Sequence, residues 1–196
     1  MSEELKRARS IHIRPARIGD ICLLLEPARE EEIHRLGQHQ AILQSLFCGV
    51  PIEEVHLTCH RFECRDALIG NLITGLENDF RMVYPIALKA LSIETLQVPV
   101  RQTNILKWRI EVSKALEEFV AIVERRVVAA GAQPLYMAGF VSSLVAALRR
   151  VAELEKDDGD RYGELPYHLF TGEKVVLSRI EGANEFDVLA TIYLGR

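Results

Sequence analysis

With 196 residues, 48% hydrophobic and 27% charged, the chain has a globular composition and enough length for one packed core or two lobes sharing an interface. Its net charge of −4 excludes a broad nucleic-acid-binding surface, which needs many Lys and Arg contacts, but not a local phosphate site. No apolar run approaches the ~20 residues of a membrane span, and the opening MSEELKRARS is charged where a secretory signal needs an apolar core, so a cytoplasmic protein without membrane contact is expected.

The first 20 residues read as an N-terminal extension in which Ile11 and Ile13 could begin an edge strand. Ile21 to Leu25 is a continuous apolar run of strand length, which predicts a strand buried on both faces. Pro27 opens a helical pattern in which Ile33, Leu36, Leu43, Leu46 and Phe47 recur at helical spacing, and Gly49 and Pro51 end it. The stretch VHLTCHRF, Val55 to Phe62, follows as a strand whose alternation puts His56, Thr58 and His60 on one face. Residues 66–80 read as a helix with Leu68, Leu72 and Leu76 stacked at intervals of four. From Pro85 to Val112 the period is that of strands, with a turn near Pro99 to Asn104 that makes a hairpin. Ser113 suits a helix N-cap, Leu116, Phe119, Val120, Val123 and Val127 supply the apolar stripe of the helix, and Gly131 ends it.

After Pro134 a further apolar strand, PLYMAGFVSSLVAAL, runs into a short helix and then the charged stretch EKDDGDRYGE, residues 155–164, whose composition predicts a flexible loop. The end of the chain reads as two strands around a Gly-Ala-Asn turn. This order predicts an α+β fold with largely antiparallel sheets. Cys22, Cys48, Cys59 and Cys64 form no Cys-x-x-Cys pair, so they are read as reduced packing residues and no metal site is expected. No glycine-rich dinucleotide fingerprint, phosphate-binding loop, His-Glu-x-x-His or Gly-x-Ser-x-Gly is present, and no cofactor is implied.

One internal echo connects the halves. A helix, a Gly, a Pro and an apolar strand occur at 28–62, around Gly49 and Pro51, and again at 114–145, around Gly131 and Pro134. With VHLTCHRF, TNILKWRIEV before the second long helix, and the closing strands KVVLSRIE and DVLATIYL, the element order resembles the two-histidine (2H) phosphoesterase superfamily, the 2′-5′ RNA ligase-like proteins and cyclic phosphodiesterases. That resemblance implies a single bilobal domain over 1–196, with two largely antiparallel sheets, flanking helices and pseudo-twofold symmetry. It implies a groove into which each lobe sends a His-x-Thr or His-x-Ser motif. One imidazole then takes a proton from the attacking water or hydroxyl, the other protonates the leaving oxygen, and the hydroxyls hold the phosphoryl oxygens.

His56 and Thr58 form the first motif, with His56 as proton carrier and Thr58 as phosphate ligand. The second departs from the pattern: the matching tripeptide is Phe140-Val141-Ser142, which keeps the hydroxyl of Ser142 and lacks the imidazole. The expected function is therefore binding of a phosphorylated nucleotide or RNA end, with weak or absent 2′,3′-cyclic phosphodiesterase activity. The alternative is a non-catalytic structural or protein-interaction module that keeps only the fold. Accessory candidates are His60, on the face of His56; Tyr136 and Phe140, on which a base could stack; and His168, read on a loop before the penultimate strand and able to supply the missing proton transfer.

Overall fold

A computed structural model describes residues 17–98, 103–136, 140–147, 149–151, 165–182 and 185–195. The chain forms strand β1 (Ile21–Pro27), helix α1 (Glu30–Phe47), strands β2 (Val50–Pro51) and β3 (Leu57–Glu63), helix α2 (Asp66–Phe80), strands β4 (Ile86–Val98) and β5 (Thr103–Ile110), helix α3 (Lys114–Ala129), and strands β6 (Gln133–Tyr136), β7 (Phe140–Ala147), β8 (Tyr167–Gly182) and β9 (Glu185–Tyr193). The expected strand at Ile11 and Ile13, the short helix beyond β7 and the 155–164 loop lie outside the described residues.

Every strand pairing is antiparallel, and the strands join one curled nine-stranded sheet in the order β2-β7-β5-β4-β8-β1-β3-β6, with β9 on β8. A further pairing between β3 and β7, at Leu57↔Val141, links the second strand from each end of that path, so the two expected sheets are continuous. A single line of paired residues crosses the molecule: Ile93↔Trp108, Trp108↔Val141, Val141↔Leu57, Leu57↔Leu25, Leu25↔Val175 and Val175↔Ile192. Trp108, Leu57 and Leu25 in it are fully buried, because this face carries the helices. Alternation then turns the neighbours of each row residue toward the open face.

The doubly buried β1 is as its sequence predicts. Ile21, Leu23 and Leu25 enter the main core, while Cys22 and Leu24 pack on the opposite face with Val176 and Ile180. Pro27, expected to open a helix, instead closes β1 opposite Gly172, and α1 starts at Glu30, where three glutamates in the first turn complement the helix dipole. Helix α3 starts as expected: the Ser113 hydroxyl accepts the N–H of Leu116. Arg126 reaches across to α2, where its guanidinium donates to both carboxylate oxygens of Asp79 at 2.8 Å and lies over Gly75, which has no Cβ to block it.

The internal echo is structural as well. Helix α1, β2 and β3 are repeated as α3, β6 and β7, and the short strands are exchanged: β2 pairs with β7 at Val50↔Val145, while β6 pairs with β3 at Tyr136↔Arg61. Leu57 and Val141, paired with each other, sit at the centre of this exchange.

Candidate phosphate site

The pair Leu57↔Val141 fixes what lies beside it. One residue to either side, the register sets His56 opposite Ser142 and Thr58 opposite Phe140. His56-Leu57-Thr58 and Phe140-Val141-Ser142 thus flank one antiparallel pair. Among the described residues this is the only β3–β7 pair.

His56 stands just before β3 and is partly exposed, as is Thr58. Its Nδ1 donates to the carbonyl oxygen of Glu54 at 2.8 Å. A carbonyl can only accept, so the neutral ring carries its proton on Nδ1 and leaves the Nε2 lone pair free to take another. The edge of the ring meets Phe186 of β9 in a T-shaped contact, 6.2 Å between centroids, which walls the imidazole on that side.

His60 is not part of the row. The pairing of β1 and β3 runs Leu23↔His60 and then Leu24↔Thr58, so Cys59 is an extra residue in a β-bulge. The bulge reverses the alternation and sends His60 to the face of Leu23, where it is 1% exposed and packs against Phe62 at 5.9 Å. Burial pushes its pKa down to about 4, and its Nδ1 has no hydrogen-bond partner. The neutral ring belongs to the core. Beyond the bulge Arg61 returns to the face of Cys22, with its Nε 3.7 Å from the Asp20 carboxylate.

His168 is in strand β8, not on a loop, and is paired with Lys89. Its Nε2 lies 3.2 Å from Glu32, a buried carboxylate in the first turn of α1 that also accepts the N–H of Thr171. Glu32 begins the stripe through Leu36, Gln40, Leu43 and Phe47 by which α1 packs onto the sheet, so His168 is engaged by the helix and not by the groove. Tyr136 takes a register position opposite Arg61, on β6.

Sequence reasoning passed over the two strands that flank the second motif. Lys107 pairs with Ser142 on one side and Glu94 on the other, and Arg109 pairs with Phe140 and Ser92. Lys107, its side chain only 11% exposed, and Arg109 both approach the Glu94 carboxylate, at 3.5 and 3.9 Å. The Ser92 hydroxyl donates to that carboxylate at 3.3 Å. Alternation through KWRIEV puts Lys107 and Arg109 on one face around Trp108, but only the pairing with β7 reveals what that face adjoins. Among the described residues no group of three His, Cys, Asp or Glu could hold a metal ion, and no helix is long and apolar enough to cross a membrane.

No family model matches the sequence, and no curated protein is similar to it. Solved structures are similar in fold. Apo LigT of E. coli matches over 92% of this chain and 100% of its own at 12% identity and a TM-score of 0.57. TT0787 of Thermus thermophilus matches over 90% of this chain and 98% of its own at 16% identity and a TM-score of 0.59. The complex of E. coli LigT with 3′-AMP matches over 92% and 100% at 10% identity and a TM-score of 0.55. The chain has the LigT-like fold of the two-histidine phosphoesterases.

Proposed function

We propose that this chain binds a phosphorylated nucleotide or RNA end through His56, Thr58 and Ser142, and that it hydrolyses 2′,3′-cyclic phosphates weakly or not at all. The observation that carries this reading is the pair Leu57↔Val141, which supports treating His56-x-Thr58 and Phe140-x-Ser142 as the two halves of one site. The fold shared with a protein solved in complex with 3′-AMP, NADP+ and ATP favours a nucleotide ligand.

In this reading the tether from Nδ1 to Glu54 makes Nε2 of His56 the proton carrier. As base, Nε2 takes a proton from water while the water oxygen bonds to phosphorus. The phosphorus–oxygen bond to the ribose then breaks, and that oxygen must find its proton from solvent because Phe140 has none to give. As acid, the roles reverse and the water attacks unassisted. Either way one proton transfer lacks its partner, which costs about 10²–10⁴-fold in rate.

The test is titration of the whole chain with 3′-AMP and with 2′,3′-cyclic nucleotides. Saturable binding that His56→Ala abolishes is expected; equal absence of binding in wild type and variant overturns the reading. That outcome favours the second reading, an interaction module keeping the fold alone, whose motivation is the same loss of an imidazole at Phe140.

A further inference from the structure

The contact between His56 and Phe186 is not one that the strand register supplies. Leu57 shares its row with Leu25, Val175 and Ile192, so β9 runs three strands away from β3, and Phe186 stands six residues ahead of that row. His56 lies one residue to the other side of it. On a flat sheet the two backbones would be about 14 Å apart across the strands and roughly 20 Å apart along them. The ring centroids are 6.2 Å apart. Only a hairpin that arches across the open face brings them together.

Bulges give the β8–β9 hairpin that curvature. Leu177 pairs with Ala190 and Ser178 with Val188, which leaves Leu189 extra on β9; Ile180 pairs with Phe186 and Gly182 with Glu185, which leaves Glu181 extra on β8. A bulged strand bends, and its twist increases. Phe186, as the partner of Ile180, takes the face of Cys22, Leu24 and Val176, opposite the main core. Its side chain is partly exposed, so core packing is not what holds the ring there. What the contact does follows from the tether on the imidazole. One hydrogen bond from Nδ1 to the carbonyl of Glu54 is a pivot, and the second side-chain torsion of histidine is broad, so the bond alone does not fix the direction of Nε2. A phenyl ring set at 80° to the imidazole blocks the swing on one side.

We propose that Phe186 is a positioning residue of the phosphate site, which holds His56 as the Nδ1–H tautomer with its Nε2 free for the ligand. This rests on the phosphate-binding reading above and adds to it a residue from the distant hairpin, outside both motif strands. A proton carrier works only when its basic nitrogen stays within hydrogen-bond reach of the ligand oxygen, so fixing the ring is part of the chemistry and not only of the fold.

The experiment follows the imidazole nitrogens and ring protons of His56 by NMR in the full chain and titrates the same proteins with 3′-AMP by calorimetry. Wild type should show the proton on Nδ1. Phe186→Leu, a change at a partly exposed position, should remove the ring-current displacement of the His56 protons, give a mixture of tautomers, and weaken 3′-AMP binding by about two- to tenfold, the worth of one aromatic pair. Phe186→Tyr, which keeps the ring, should return both the tautomer and the affinity to within about twofold of wild type. A tautomer and an affinity in Phe186→Leu that equal wild type, with binding that His56→Ala still abolishes, overturn the positioning role and leave the phosphate-binding reading standing. Absence of 3′-AMP binding in wild type and His56→Ala alike overturns that reading and the proposal with it, whatever the tautomer does.

Discussion

The two repeats share a frame and differ in the residues that flank their common pair. In each, a long helix leads to a short strand and then to the strand that carries the motif, and the two motif strands meet at Leu57↔Val141. The residues on either side are unlike. The first half sets an imidazole and a hydroxyl beside the apolar Leu24 and Val176; the second sets Phe140 and Ser142 beside Lys107 and Arg109. Core positions cannot drift without a cavity or a clash, and on the opposite face Leu24 and Val176 are held in the same way by Cys22 and Ile180, whereas the partly exposed His56 and Thr58 are not. Chemistry can therefore be lost from one half while the scaffold stays symmetric.

The largest test of that contrast restores it. Phe140→His should raise hydrolysis of a 2′,3′-cyclic phosphate by about 10²–10⁴-fold, the worth of a general acid or base, and adding His56→Ala should remove the gain. A steady-state assay of the three proteins checks this. No gain in Phe140→His would mean that the halves have diverged in more than one residue.

Next in size is the seam itself. Leu57→Ala should destabilise the chain by about 2–5 kcal/mol in denaturant unfolding, because a fully buried side chain at the crossing of both halves leaves a cavity. An open-face change such as Thr58→Ala should cost far less in the same measurement.

His60 separates core from site by pH. Its folded pKa of about 4 lies below the ordinary 6.5, so between those values the unfolded chain binds the proton first. Stability is full above pH 6.5 and falls as pH drops to 4, by about 3 kcal/mol from this residue. His60→Leu should flatten that part of the stability profile. If the fall persists in the variant, another group carries it.

The smallest contrast lies between the two long helices. Helix α3 has the Ser113 hydroxyl on Leu116, whereas α1 begins after Arg29 with no side-chain cap and depends on its acidic first turn. Ser113→Ala should cost about 1 kcal/mol in the same unfolding experiment.

How far the sequence could be read follows from what each feature depends on. The apolar run at Ile21–Leu25, the stripe of α3 and its Ser113 cap are local, and each is present where its pattern puts it. The element order read around Gly49–Pro51 and Gly131–Pro134 recurs as α1-β2-β3 and α3-β6-β7. The bulge at Cys59 has a trace in the sequence, since Val55, Leu57 and Cys59 are followed by the polar Arg61 and the apolar Phe62, but only the partner strand shows that two residues oppose one. The 16-residue β8 begins well ahead of the closing strand KVVLSRIE and takes in His168, read on a loop, whose attachment to Glu32 depends on a distant helix. Lys107 and Arg109 were legible as a face and illegible as a neighbourhood.

The exchange of short strands bears on how such a chain can be divided. Strand β2 completes the half built on β7, and β6 completes the half built on β3. Cut between β4 and β5, each fragment would carry the finishing strand of the other and lack its own. Neither would fold as an independent piece, yet two copies of one fragment could trade those strands about a twofold axis through the central pair. Within one polypeptide the same arrangement is an intramolecular swap.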